Sequence, residues 1–124
     1  MKKILIVEDE LAYITLLNKT LSKNYEVYQA RNGRDGFDMA VRNHPELILL
    51  DIKMPVMDGL DMLSELRKVP YGKKAKVILL TNLEPSEHII ERVVKELPTY
   101  YWVKSDIQLN ELVSKVQELM TEPV

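Results

Sequence analysis

The sequence predicts a three-layer, doubly wound α/β domain with five parallel strands, (βα)5, and three observations carry that prediction. Five short apolar runs alternate along the chain with five longer stretches of helical period. Runs such as Leu47 to Leu50 and Val77 to Leu80 lack any in-and-out alternation, which is how strands buried on both faces of a parallel sheet read. The 124 residues, 46% of them hydrophobic, suffice for one compact domain with a real core, so residues 1–124 are taken as a single domain.

The elements follow in order. KILIV (3–7) is the first strand, and Leu11, Ile14, Leu17 and Leu21 form the inward stripe of the helix after it. EVYQA (26–30) is the second strand, with Asn32-Gly33 as the turn into the second helix. LILLD (47–51) is the third, and Asp58-Gly59 turns the chain into the third helix. KVILLT (76–81) precedes a helix whose apolar face is Ile89, Ile90, Val93, Val94 and Leu97, with Pro85 near its start, where a missing N–H costs little. YYWVK (100–104) is the fifth strand. The last helix carries Leu109, Leu112, Val113, Val116, Leu119 and Met120, reads as ending near Met120, and has Ser105-x-x-Gln108 as a candidate capping box. Among doubly wound orders we take 2-1-3-4-5, which places ligands in the crevice at the carboxyl ends of the strands.

Composition excludes several classes of function. Seventeen basic and nineteen acidic residues leave a formal charge of -2, so no overall basic field draws the chain to nucleic acid or to an anionic membrane. The absence of cysteine removes disulfides, thiolate metal sites and a cysteine nucleophile, and fits a reducing compartment such as the cytoplasm. The apolar run at 4–7 is too short for a secretory signal, and no stretch has the roughly 20 apolar residues that cross a bilayer.

The chemistry lies at the strand ends. The first strand runs into Glu8-Asp9, the third ends in Asp51, the fourth in Thr81 and the fifth in Lys104; only the second delivers no polar residue in this reading. Asp51 directly follows four apolar residues, where a carboxylate is poorly solvated without compensation. With the first and third strands adjacent, Glu8, Asp9 and Asp51 converge. Two like charges about 4 Å apart repel by roughly 4 kcal/mol at an effective dielectric of 20, so the cluster calls for a cation or a proton. Oxygen donors of this kind suit Mg²⁺, with Mn²⁺ as a substitute. A metal, an ammonium and a hydroxyl around an aspartate are what phosphoryl transfer to a carboxylate oxygen requires, making Asp51 the acceptor and Thr81 and Lys104 its catalytic companions.

The ordered set Glu8-Asp9, Asp51-x-x-Met54-Pro55-x-Met57-Asp58-Gly59, Thr81 and Tyr101-x-x-Lys104 resembles the receiver domain of two-component response regulators over essentially the whole chain. The resemblance implies a flavodoxin-like fold and a phosphorylation-dependent switch rather than an enzyme acting on other substrates. It implies that Asp9 and Asp51 bind Mg²⁺ directly, that Glu8 acts through water, and that the backbone carbonyl of Lys53 is a further ligand. It makes Thr81 and Tyr101 the switch pair. The phosphodonor would be a histidine kinase or a histidine phosphotransfer protein. The signal would be read on the face built by the fourth helix, fifth strand and fifth helix, by a downstream protein or an attached effector. A homodimer through that face is compatible with these residues and not required by them.

Two positions depart from the family pattern. Ser105 stands where proline usually follows the lysine; a cis bond without proline costs roughly 2.5 to 4 kcal/mol, so a trans path is expected. Asn82 follows the switch hydroxyl where a small residue is usual, and is expected to lengthen the life of the phosphorylated state by hindering access to Asp51. In the first helix, Tyr13 and Leu16 lie off the inward stripe and are expected to form a docking surface for the phosphodonor. His44 and His88 receive no role.

Competing readings are weaker. A haloacid dehalogenase-type phosphohydrolase carries a second acid two residues after its nucleophile, where this chain has Lys53. A flavodoxin-like cofactor binder would offer hydroxyls and N–H groups to a phosphate, where this chain has Glu8-Asp9-Glu10. A receiver-like interaction module that is never phosphorylated would not need the intact acidic set.

Overall fold

A computed structural model describes residues 1–121. In chain order the elements are β1 (Lys3–Val7), α1 (Leu11–Leu21), β2 (Glu26–Ala30), α2 (Gly33–Asn43), β3 (Leu47–Leu50), α3 (Gly59–Leu66), β4 (Lys76–Thr81), α4 (Glu87–Glu96), β5 (Tyr100–Val103) and α5 (Leu109–Thr121). All strand pairs are parallel and the order is β2-β1-β3-β4-β5, the predicted topology.

The apolar runs are continuous because each face of the sheet is covered. Leu5, Val7, Ile48, Leu50, Val77 and Leu79 point to one side, where Ala40 of α2 and Met62, Leu63 and Leu66 of α3 close over them. Ile4, Ile6, Leu47, Leu49, Ile78 and Leu80 point to the other, against Leu17 and Leu21 of α1 and Leu112, Val116 and Leu119 of α5. The side chains thus alternate between two buried faces at the strand period, and both sets remain apolar.

The caps follow local chemistry. Asn32 accepts from the N–H of Asp35, Asp58 from that of Asp61 at 2.8 Å, and Ser86 from that of Ile89. Gly59 packs so closely on the Asp51 backbone that a Cβ there would collide with the Asp51 carbonyl oxygen, so the β3-α3 loop folds back tightly beneath the strand end. Val56, at the tip of that loop, has φ 69°, a left-handed conformation that a β-branched side chain rarely adopts.

Several boundaries and faces differ from the sequence reading. β3 stops at Leu50 and β5 at Val103, each one residue short of the sequence reading, although the Asp51 N–H still bonds the Val7 carbonyl of β1 at 2.9 Å. Ser105 does not cap α5: residues Lys104–Asp106 first close a 3₁₀ turn, and the helix starts four residues beyond Ser105. Its capping partner is Glu111, whose carboxylate accepts from the Gln108 N–H at 3.2 Å. Leu11 and Leu109 open their helices beyond the end of the sheet and stay exposed. In α4 only Ile89 and Val93 pack on the core, whereas Ile90, Val94 and Leu97 are exposed. A helix at the β4-β5 edge has half a sheet to cover, and Leu97 leaves it in the left-handed conformation with φ 48°.

Candidate functional site

Parallel strands bring all their carboxyl ends to one edge, and the pairing of Val7 with Leu50 makes Glu8 and Asp51 the next neighbours along that edge. Asp51 is tied by its N–H to the Val7 carbonyl at 2.9 Å and Glu8 by its N–H to that of Ala30 at 3.0 Å. One carboxylate oxygen each from Glu8, Asp9 and Asp51 lie within 4.8 Å of one another. Glu8 and Asp51 are buried, and Asp9 faces the opening.

The Asp51 carboxylate is held asymmetrically. Oδ1 accepts a 2.7 Å hydrogen bond from the N–H of Ile52, leaving Oδ2 turned toward the ammonium of Lys104 at 3.3 Å. The same ammonium forms a close ion pair with Glu8 Oε1, while Glu8 Oε2 accepts from the N–H of Glu10 at 3.0 Å. Both pairs are largely withdrawn from water, with the side chains of Glu8, Asp51 and Lys104 all under a tenth exposed. Burial pushes the Glu8 carboxyl above the usual range, against the pull of Lys104 and the Glu10 N–H. Burial alone would lower the Lys104 ammonium, but the hydrogen bond it donates to Glu8 and the charge of Asp51 outweigh it and hold it above its ordinary value.

Thr81, fully buried at the end of β4, accepts from the Leu83 N–H at 3.3 Å, which leaves its own proton to donate. Lys53, Asn82 and Leu83 line the same cleft, of about 310 Å³. Tyr101 stands beside it with its hydroxyl donating to the Leu83 carbonyl at 2.6 Å, and burial raises that phenol above its usual range. No peptide bond among the described residues is cis, so Lys104-Ser105 takes the trans path. Oxygen donors grouped on this scale, next to a carboxylate whose burial disfavours its charge, fit a hard divalent cation.

Two placements correct the sequence reading. Tyr13 does not project away from the domain: it is half-buried, packs on the core with Leu17, and lies under Lys104, whose Nζ is 4.6 Å from its ring centroid. The lysine of a distant strand reaches back across the sheet edge, and helical spacing carries no sign of that. Leu16 is exposed. The second strand also supplies a polar residue, since Arg31, directly after β2, donates from Nη2 to the backbone carbonyl of Asp9 at 2.9 Å. Its position after EVYQA was the available signal.

Comparisons with known proteins agree with this geometry. Residues 4–117 match the response regulator receiver domain family. Sporulation initiation phosphotransferase F of Bacillus subtilis is 37% identical over 81 residues, a stretch that spans 64% of this chain and 64% of that relative. The chemotaxis protein CheY4 of Vibrio cholerae superposes with a TM-score of 0.85 at 27% identity, covering 96% of this chain and 98% of that one. The signal receiver domain of a signal transduction histidine kinase from Syntrophus aciditrophicus gives a TM-score of 0.85 at 29% identity, covering 100% of this chain and 97% of its own. An acidic cluster at the ends of β1 and β3, paired with a lysine from β5 on this fold and matched along nearly the whole chain, makes the protein a member of the response regulator receiver domain family of two-component signalling.

Proposed function

We propose that the chain is a phosphorylation switch whose acceptor is Asp51. The observation that carries this reading is the Asp51 carboxylate itself: Oδ1 is fixed by the Ile52 N–H and Oδ2 faces the Lys104 ammonium at the mouth of an acidic cleft.

Asp9 and Asp51, with Glu8 behind them and the Lys53 backbone carbonyl at the rim, would hold Mg²⁺ or Mn²⁺, which supplies charge neutralisation for the phosphoryl oxygens. Asp51 Oδ2 attacks phosphorus; the bond from phosphorus to the donor's histidine nitrogen breaks as the bond to oxygen forms, and the donor imidazole keeps the electron pair. Lys104 moves from Glu8 and Asp51 to the new phosphoryl charge. Thr81 donates its hydroxyl proton to a phosphoryl oxygen, drawing the β4-α4 loop inward; Tyr101, tied to that loop through Leu83, passes the change to the α4-β5-α5 surface. Hydrolysis of the acyl phosphate returns Asp51 and inorganic phosphate, so the chain acts on its own carboxylate only.

The phosphodonor is a histidine kinase or a histidine phosphotransfer protein in the cytoplasm, docking beside the cleft on α1. Leu16, exposed on α1, offers the apolar contact, and Tyr13 supports Lys104 from beneath instead of meeting the donor directly. Incubation with Mg²⁺ and a small phosphodonor should add the mass of one phosphate to the chain and none to Asp51→Asn; an unmodified wild-type chain would refute the assignment. Leu16→Ala should slow transfer from a protein donor while leaving the small-molecule reaction unchanged.

A further inference from the structure

We propose that the groove between the β4-α4 loop, β5 and α5 receives a basic amphipathic helix of a partner protein. This rests on the switch reading above and names the chemical class of partner that the switched surface takes.

The groove encloses about 410 Å³. Its floor is aromatic and aliphatic: Tyr101 and Trp102 on β5 and Ile107 after it, all half-buried. Trp102 stacks on Tyr100 with ring centroids 5.2 Å apart, so its indole is held in place before anything binds. An apolar side chain entering there buries surface without first ordering the wall.

The rim is acidic, and its acids come from three separate segments. Glu84 stands on the β4-α4 loop, Asp106 in the turn after β5 and Glu111 in the first turn of α5. Among the described residues the one cation on the rim is Lys115, whose ammonium pairs with Glu118 at 3.6 Å. Among the described residues, none of the three rim acids forms an ion pair with a lysine or arginine. An acidic helix is repelled at this rim. A helix with leucine or phenylalanine on one face and lysine or arginine flanking it matches both the floor and the rim. Tyr101 is shared between this wall and the Leu83 carbonyl, so occupancy of the groove and the position of the β4-α4 loop are coupled through one side chain.

Trp102 is the sole tryptophan of the chain and so reports occupancy directly. The probe is a tryptophan-free amphipathic helix of about 14 residues, four turns long, with leucine on one face and lysine and arginine on the other. Its counterpart replaces every basic residue by glutamate. Both are titrated into the full chain, untreated and after Mg²⁺ with a small phosphodonor, while Trp102 emission and intact mass are recorded. The basic peptide should bind roughly tenfold more tightly than the acidic one, with affinity falling as salt is raised. Glu84→Gln combined with Asp106→Asn should reduce the preference to about threefold or less. Equal binding of the two peptides, no binding by either, or an emission change that tracks chain concentration alone, as for a second copy in the groove, would overturn the proposal. Phosphate uptake without peptide preference sinks the groove alone, whereas peptide preference without phosphate uptake keeps the groove and sinks the switch.

Discussion

The hydroxyl of Tyr101 on β5 is bonded to the backbone carbonyl of Leu83, two residues beyond Thr81, at 2.6 Å. The same loop residue donates its N–H to Thr81 Oγ1 at 3.3 Å, so the hydroxyl in the acidic cleft and the aromatic ring beside it share one short piece of backbone. Tyr101→Phe should therefore leave phosphate uptake at Asp51 intact and weaken its transmission. Stability should fall by about 1 kcal/mol, the net worth of one hydrogen bond. Intact mass and urea unfolding measure the first and last; amide exchange in α4 with and without phosphodonor measures the transmission.

On the proposed reading, a divalent cation would compete with Lys104 for the Glu8 and Asp51 carboxylates. Lys104→Met leaves Glu8 and Asp51 buried without their partner and should destabilise the metal-free chain by about 2 kcal/mol or more. Magnesium should recover part of that loss and bind several-fold more tightly than to wild type, as calorimetric titration would show, while phosphate uptake drops.

Asn82 lines the cleft directly after Thr81. If its side chain obstructs the path of water to the acyl phosphate, Asn82→Ala should shorten the half-life of the phosphorylated chain. Equal half-lives would remove Asn82 from the account.

Arg67 ends α3 and staples three segments. Its guanidinium donates to the carbonyls of Glu96 and Leu97 at the end of α4, at 2.8 and 3.0 Å, and to those of Gly72 and Ala75, at 2.7 and 2.9 Å. A cation at a helix carboxyl end also complements its dipole. Arg67→Ala should cost about 2 to 3 kcal/mol in urea unfolding, through unsatisfied carbonyls and the loss of α4 anchorage. Lysine should restore little, since one ammonium cannot span that fork.

Tyr71 contributes to the loss of stability at alkaline pH. Burial, with the nearby Glu46 charge, raises its phenol above the ordinary value, and its hydroxyl donates to the Pro45 carbonyl at 2.7 Å. From about pH 10 the unfolded chain releases this proton while the folded chain keeps it, so the folded state binds more protons and stability falls as pH rises. The contribution is complete below that pH. Tyr71→Phe should lose about 1 kcal/mol at pH 8 and show a shallower decline in urea midpoint above pH 10.

Much of this protein is legible in its sequence because a parallel sheet converts local pattern into position. Leu47 to Leu50 reads as a strand buried on both faces, and in a parallel sheet the residue that follows any such run must arrive at the same edge as the others. Glu8, Asp51, Thr81 and Lys104 are brought together by that rule alone.

Tertiary structure decided what crosses between elements. Helical period groups Ile89, Ile90, Val93 and Val94 on one face, but the width of sheet beneath α4 determines that only Ile89 and Val93 are covered. Period likewise sets Tyr13 off the inward stripe, yet it packs against the core and lies under Lys104, which reaches over it from the end of β5. The long, flexible side chains of Arg31 and Arg67 find backbone carbonyls of distant segments. A local pattern states which residues share a face; which neighbour meets that face depends on contacts between residues far apart in the chain.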